Sequence, residues 1–104
     1  MLDDGREIAI TGAGVLVGRD PSPAAGETGF TMIAIDDPSR SVSKTHLAVT
    51  RHGDRLAVAD RGSTNGSSIV RGGAERPLAP GESVPVEARD IIHFGDRTAV
   101  IRLG

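Results

Sequence analysis

Cysteine is absent from this 104-residue chain, which excludes disulfide frameworks, thiolate metal centres and thiol nucleophiles and suits a reducing, cytoplasmic setting. Tryptophan and tyrosine are absent too, leaving Phe30 and Phe94, so a row of stacking platforms for single-stranded nucleic acid is not available. Positive charge is also in short supply: the net charge is −2, and no broad basic stripe exists to follow a phosphate backbone. No run approaches the ~18 apolar residues that cross a membrane, and no charged-then-apolar leader opens the chain. His46, His52 and His93 lack metal-ligand spacing. The expectation is a domain without cofactor, metal, nucleic-acid partner or membrane span.

Turn formers are what the sequence has in excess. Glycine and proline contribute 14 and 6 residues, about a fifth of the chain against roughly 12 % in ordinary usage. Between them lie short runs of alternating apolar residues, the pattern of half-buried strands in an all-β sandwich or barrel. The alternation predicts strands at Glu7 to Thr11, Gly14 to Gly18, Thr31 to Ile35, His46 to Arg51, Arg55 to Asp60, Ser68 to Val70, Ser83 to Val86, Asp90 to Phe94 and Arg97 to Leu103. The first two read as a hairpin turning at Gly12. His52-Gly53-Asp54 and Gly95-Asp96 read as tight turns. No helix is expected. Asp20 to Gly29, rich in proline, glycine, serine and alanine, reads as a mobile surface loop, and Arg71 to Arg76 as a polar loop. The acidic pairs Asp3-Asp4 and Asp36-Asp37 read as solvated turns. A strand ending near Leu2 reads as mostly cut away, so residues 1–104 are taken as one excised module short of part of its first strand.

Three clusters fall at strand ends, where a sheet scaffold presents functional groups. They are Gly18-Arg19, then Ser43-Lys44-Thr45-His46, then Asp60-Arg61-Gly62-Ser63-Thr64-Asn65-Gly66. Each alone has an ordinary explanation as a surface arginine, a polar loop or a good turn. Together they hold what a phosphate dianion needs: a guanidinium at Arg19, an ammonium at Lys44, hydroxyls at Ser43 and Thr64, and loop N–H groups. Arginine's planar fork donates paired charge-assisted bonds to phosphate oxygens. Asn65, donor and acceptor on one amide, suits the main chain of an extended peptide. Arg40 and Arg61 are further candidate cations.

These clusters, followed by Asp90-Ile91-Ile92-His93-Phe94-Gly95, resemble the forkhead-associated (FHA) domain in order and spacing across nearly the whole chain. The resemblance implies an all-β, FHA-type sandwich of about 9–11 short, mostly antiparallel strands whose loops at one end bind phosphothreonine peptides. It implies that Arg19 and Ser43 contact the phosphate, that Thr64 supports it, that Lys44 adds charge or reaches the peptide, and that Asn65 holds the peptide main chain. It assigns Gly18, His46 and Gly66 to shaping the loops. The chain departs from the family pattern in four places, one of them an Asp20 to Gly29 loop longer than expected before the serine motif. Arg89-Asp90 stands where Gly-Asp is usual, so that turn must be built differently. Lys44 stands for a frequent arginine, and Ser67 for a common threonine.

Other readings are weaker. Gly12, Gly14 and Gly18 approximate a dinucleotide glycine pattern, but no helix follows. Ser43, His46 and Asp60 supply the residue types of a serine hydrolase without a nucleophile elbow. Asn65-Gly66-Ser67 is a formal glycosylation sequon. The expected function is a non-catalytic module that binds a phosphothreonine in a partner protein, or in its parent chain, downstream of a Ser/Thr kinase. A sandwich with phospho-independent protein binding is the alternative.

Overall fold

The computed structural model describes residues 1–102. Nine strands form two sheets: β1 (Gly14–Gly18), β2 (Phe30–Ala34), β3 (Leu47–His52), β4 (Arg55–Asp60), β5 (Ser67–Arg71), β6 (Ala74–Pro77), β7 (Val84–Pro85), β8 (Ile91–Phe94) and β9 (Arg97–Val100). One sheet has the order β2-β1-β3-β4-β7 and the other β6-β5-β8-β9. All pairings are antiparallel except β1 with β2. The two sheets close on one core that includes Val15, Val17, Leu47, Val49, Val58, Ile69, Ile92 and Phe94. This is the expected all-β sandwich, and the β3–β4 register sets Val49 opposite Val58 as the alternation requires.

The expected hairpin of Glu7 to Thr11 with β1 does not form. Both edges of β1 are occupied, one by β2 and the other by β3, so no ladder position is left for the preceding segment. Ile8 and Ile10 instead pack against the core without joining a sheet, over a cleft of about 570 Å³. Ahead of them, Leu2 makes an isolated antiparallel bridge to Ala99. A second correction concerns the expected polar loop at Arg71 to Arg76. Its glycines, Gly72 and Gly73, both at positive φ, turn β5 into β6, and β6 is exposed at every residue. No burial alternation was there to signal it. Asp3 lies in an exposed turn, as expected, and its carboxylate also accepts from Nε and Nη2 of Arg97 at 2.9 and 2.7 Å and from the Thr98 N–H.

The turn before β8 keeps the conformation that glycine would give it. Arg89 sits at φ 71°, a left-handed conformation costing an L-residue roughly 1–2 kcal/mol. The neighbouring Asp90 braces it, accepting from Arg71 at 2.9 and 2.7 Å and from the Glu87 N–H at 2.8 Å. The strand expected over Arg97 to Leu103 is observed to Val100, and Leu103 lies outside the described residues.

The segment Asp20 to Gly29 is tethered. A parallel pair cannot be closed by a tight turn, so the chain between β1 and β2 must cross a sheet face. Leu16 is 0 % exposed yet lies outside the core cluster. Because Val15 and Val17 face the core, period-2 alternation turns Leu16 to the outer face, and the crossover is the element available to cover it. Ser22 N–H donates to Thr45 Oγ1 at 3.0 Å, and Glu27 takes both arms of Arg61 at 3.1 and 2.9 Å.

If the crossover covers this face, Leu16→Ala will cost about 2–5 kcal/mol, as a core truncation does. Urea unfolding measures it, and a loss under ~0.5 kcal/mol would show an uncovered surface position.

Candidate functional site

The end of β1, the approach to β3 and the turn after β4 lie at one end of the first sheet. Gly18 brings the first two together. A Cβ there would fall 1.9 Å from the Lys44 carbonyl oxygen, so only glycine permits the approach. Two main-chain bonds continue the contact, from Arg19 N–H to Ser43 O and from Asp20 N–H to Lys44 O, each 3.1 Å. The expected loop-shaping role of Gly18 thus has a steric cause.

His46 joins the second loop to the third. Its ring is 0 % exposed and meets Phe94 edge-on at 6.0 Å. Nδ1 accepts the Ser43 N–H at 3.0 Å, which assigns the proton to Nε2, and Nε2–H donates to Gly66 O at 2.8 Å. Gly66 has φ 80°, a conformation that favours glycine. These contacts also dispose of a hydrolytic triad. His46 is bonded to the backbone of Ser43 rather than its hydroxyl, and Asp60 is 3.8 Å from Nε2.

Asp60 organises the third loop from beneath. Although 1 % exposed, it accepts the Ser63 N–H at 2.9 Å and the hydroxyls of Ser63 and Ser67. Burial pushes its carboxyl up, but the hydroxyl bonds from Ser63 and Ser67, the Ser63 N–H and the neighbouring His46 outweigh it and hold it below the usual value. Ser67, where the family commonly has threonine, retains the hydroxyl this contact uses.

The candidate binding residues stand above this base. Arg19 spends only Nε, on the Val42 carbonyl at 3.1 Å, so its terminal nitrogens are free among the described residues. Ser43 Oγ accepts the Thr64 N–H at 3.1 Å, joining two of the expected phosphate residues and leaving the serine hydrogen to donate outward. The Thr64 hydroxyl has no partner among the described residues, and Thr64 and Lys44 are exposed. Asn65 donates Nδ2 to Ser41 O at 2.9 Å, while its Oδ1 accepts no side-chain or backbone bond among the described residues. Asn65 therefore has an internal attachment that the sequence did not indicate.

The two extra candidate cations part company. Arg40 is exposed and without an ion-pair partner, at φ 57°, whereas Arg61 is neutralised by Glu27. Asp37 opens the turn that closes with the Arg40 N–H on its carbonyl oxygen at 3.0 Å, and its side chain is tied in as well. It accepts the Val42 N–H at 2.7 Å and the hydroxyls of Ser39 and Ser41, and the first of these bonds leads in holding its carboxyl below the usual range. The signal available was the local one of an acid followed closely by two serine hydroxyls. Among the described residues no cluster of three metal-ligating side chains occurs, and no helix is long and apolar enough to cross a membrane.

The arrangement joins free cationic and hydroxyl donors to loops fixed from below, which is what anion recognition at a sheet end requires. Residues 15–95 match the FHA domain family model, and the chain belongs to that family. No curated protein matches it. Among solved structures it resembles an FHA domain from an analysis of phosphothreonine-dependent FHA domain interactions, with 25 % identity, TM-score 0.69, and 99 % of this chain and 92 % of that one covered. It also resembles the FHA domain of FhaA complexed with another protein's intracellular domain, at 23 % identity and TM-score 0.70, covering 97 % and 94 %. A third similar structure is the MEK1 FHA domain with a phosphothreonine peptide of HOP1, at 21 % identity and TM-score 0.69, covering 99 % and 94 %.

The lowered carboxyl of Asp60 has a pH consequence. A depressed folded-state value gives stability that is present above the unfolded value, 3.8, and lost as the pH falls through the lower folded one. Asp60→Asn will lose about 1–3 kcal/mol at pH 7 and show a shallower acid dependence below about pH 4. Denaturant unfolding at both pH values measures this, and equal acid slopes would remove Asp60 from the account.

Proposed function

We propose that this domain is a non-catalytic module that binds phosphothreonine peptides and so turns the action of a Ser/Thr kinase into protein association in the cytoplasm. The observation that carries the reading is the free guanidinium fork of Arg19 at the end of β1, next to the loop whose Ser43 hydroxyl is bonded to the Thr64 N–H. Phosphorylation adds about −1.5 to −2 charge and three acceptor oxygens at pH 7, so free cations and hydroxyl donors discriminate strongly between a phosphorylated and a plain threonine. Arg19 and Ser43 are assigned to the phosphate, Thr64 to its support, Lys44 to added charge, and Asn65 to the peptide main chain. Asn65 keeps its anchorage to Ser41 by one N–H, leaving the other N–H and Oδ1 for the peptide. Gly18, His46 and Gly66 shape the loops. The FHA relatives described with phosphothreonine ligands support the reading.

The alternative, a sandwich that binds protein without regard to phosphate, leaves the free fork of Arg19 without a purpose. Calorimetric titration with a phosphothreonine peptide pool separates the two. Arg19→Ala will weaken binding by about 2–4 kcal/mol, the loss of one or two charge-assisted bonds, with a melting temperature close to that of the parent. Unchanged affinity would favour the phosphate-independent module.

A further inference from the structure

Two open sheets have four edges, here β2, β7, β6 and β9, and an unprotected edge is a template for another strand. Three of them are guarded. Met1 to Asp3 run along β9, with Val100 N–H on Met1 O at 2.8 Å and Asp3 N–H on Thr98 O at 3.0 Å. β6 carries Glu75, Arg76 and Pro77. β7 is two residues long and contains Pro85. β2, Phe-Thr-Met-Ile-Ala, has five residues with neither charge nor proline.

The direction of its backbone follows from the ladder. Ile35 N–H donates to Gly18 O at 2.8 Å, so alternation turns Thr31 and Ile33 toward β1 and the N–H and C=O groups of Phe30, Met32 and Ala34 outward. Among the described residues, only the Ala34 carbonyl of these outward groups has a partner, Nη2 of Arg6 at 2.9 Å. Met32 is one of three exposed large hydrophobic residues.

This pattern is symmetric about Met32. We infer that the outer edge of β2 pairs antiparallel with β2 of a second copy, about a two-fold axis through Met32. Met32 then faces Met32 of the other copy and exchanges N–H and C=O bonds with it. Phe30 faces Ala34 on either side, where the second lone pair of the Ala34 carbonyl remains open. No charge meets like charge in the seam. A second copy is favoured over a foreign strand because the spacing and neutrality are self-complementary, as an isologous contact requires. A five-residue seam is small beside the ~1,200 Å² of stable interfaces, so the dimer is weak and forms at high local concentration.

Because β1 and β2 are parallel and Gly18 pairs with Ala34, the Ala34 end of β2 is the Arg19 end of the domain. The two-fold sends the Arg19 ends in opposite directions. On the binding reading proposed above, such a dimer links two phosphorylated partners instead of gripping one twice.

Analytical ultracentrifugation of the domain up to about 1 mM, with Met32→Lys, Met32→Glu and their equimolar mixture, tests the pairing. The parent is expected to dimerise with rising concentration and each charged variant to stay monomeric with an unchanged melting temperature. The mixture is expected to dimerise again through the Lys–Glu pair at the axis. A parent monomeric throughout the range, or single variants that dimerise like it, would overturn the proposal. A mixture that stays monomeric would overturn the register. Arg19→Ala should dimerise like the parent, so a failure of the phosphate reading is distinguishable from a failure of this one.

Discussion

The imidazole of His46, wholly removed from water, accepts from Ser43 on one side and donates to Gly66 on the other. Those two residues belong to the two loops on which the candidate site is built, and the ring ties them together above the point where the β3–β4 ladder ends at Leu47 and Asp60. A buried ring that uses both nitrogens sets that spacing firmly, because losing either bond would leave a polar group unpaired at a cost of about 1–3 kcal/mol. Beneath it Asp60 gathers Ser63 and Ser67, and above it Ser43 Oγ receives the Thr64 N–H. The face of the candidate site is therefore held in place by the chain's own bonds, and preorganisation of this kind lowers the ordering cost of any binding there.

Charge is distributed to the same end. Among the described residues six arginines are held in ion pairs, namely Arg6, Arg61, Arg71, Arg76, Arg97 and Arg102. Arg19, Arg40 and Lys44, on the strand end and loop at the site, are not among them, nor are Arg51, Arg55 and Arg89 away from it. A net charge of −2 conceals this, since Asp3, Asp4, Glu7, Glu27, Glu82, Glu87 and Asp90 are all taken up by those six arginines. Asp20, next to Arg19, is the acid that shares the stretch, and its N–H contributes to the loop contact through Lys44 O.

Much of this was legible in the sequence because the signals were local. Alternation at Val15 and Val17, or at Val49 and Val58, needs only a neighbouring residue of opposite character to reveal a strand. The loop residues stood out because Gly18, Ser43, His46, Thr64 and Gly66 occur in an order and spacing that few folds require. What escaped depended on partners distant in the chain. Nothing within Glu7 to Thr11 tells that both edges of β1 are already occupied. Nothing within Asp20 to Gly29 tells that its glutamate meets Arg61 across 34 positions. Asn65 looked free because its partner, Ser41, lies 24 positions away, and β6 was silent because an exposed strand carries no alternation.

Loops held together through His46 are expected to form a ready anion site at the Arg19 end of the domain. Amide chemical-shift mapping by solution NMR, with a phosphothreonine peptide pool titrated beside its phosphoserine and unphosphorylated counterparts, tests this most directly. The account predicts shifts at Arg19, Ser43, Lys44, Thr64 and Asn65 with the phosphothreonine pool, weaker ones with phosphoserine and none with the plain peptides. The core signals of Val58 and Ile92 should stay in place. Equal shifts with phosphorylated and plain peptides, or shifts confined to the opposite end around Gly53 and Arg89, would contradict it.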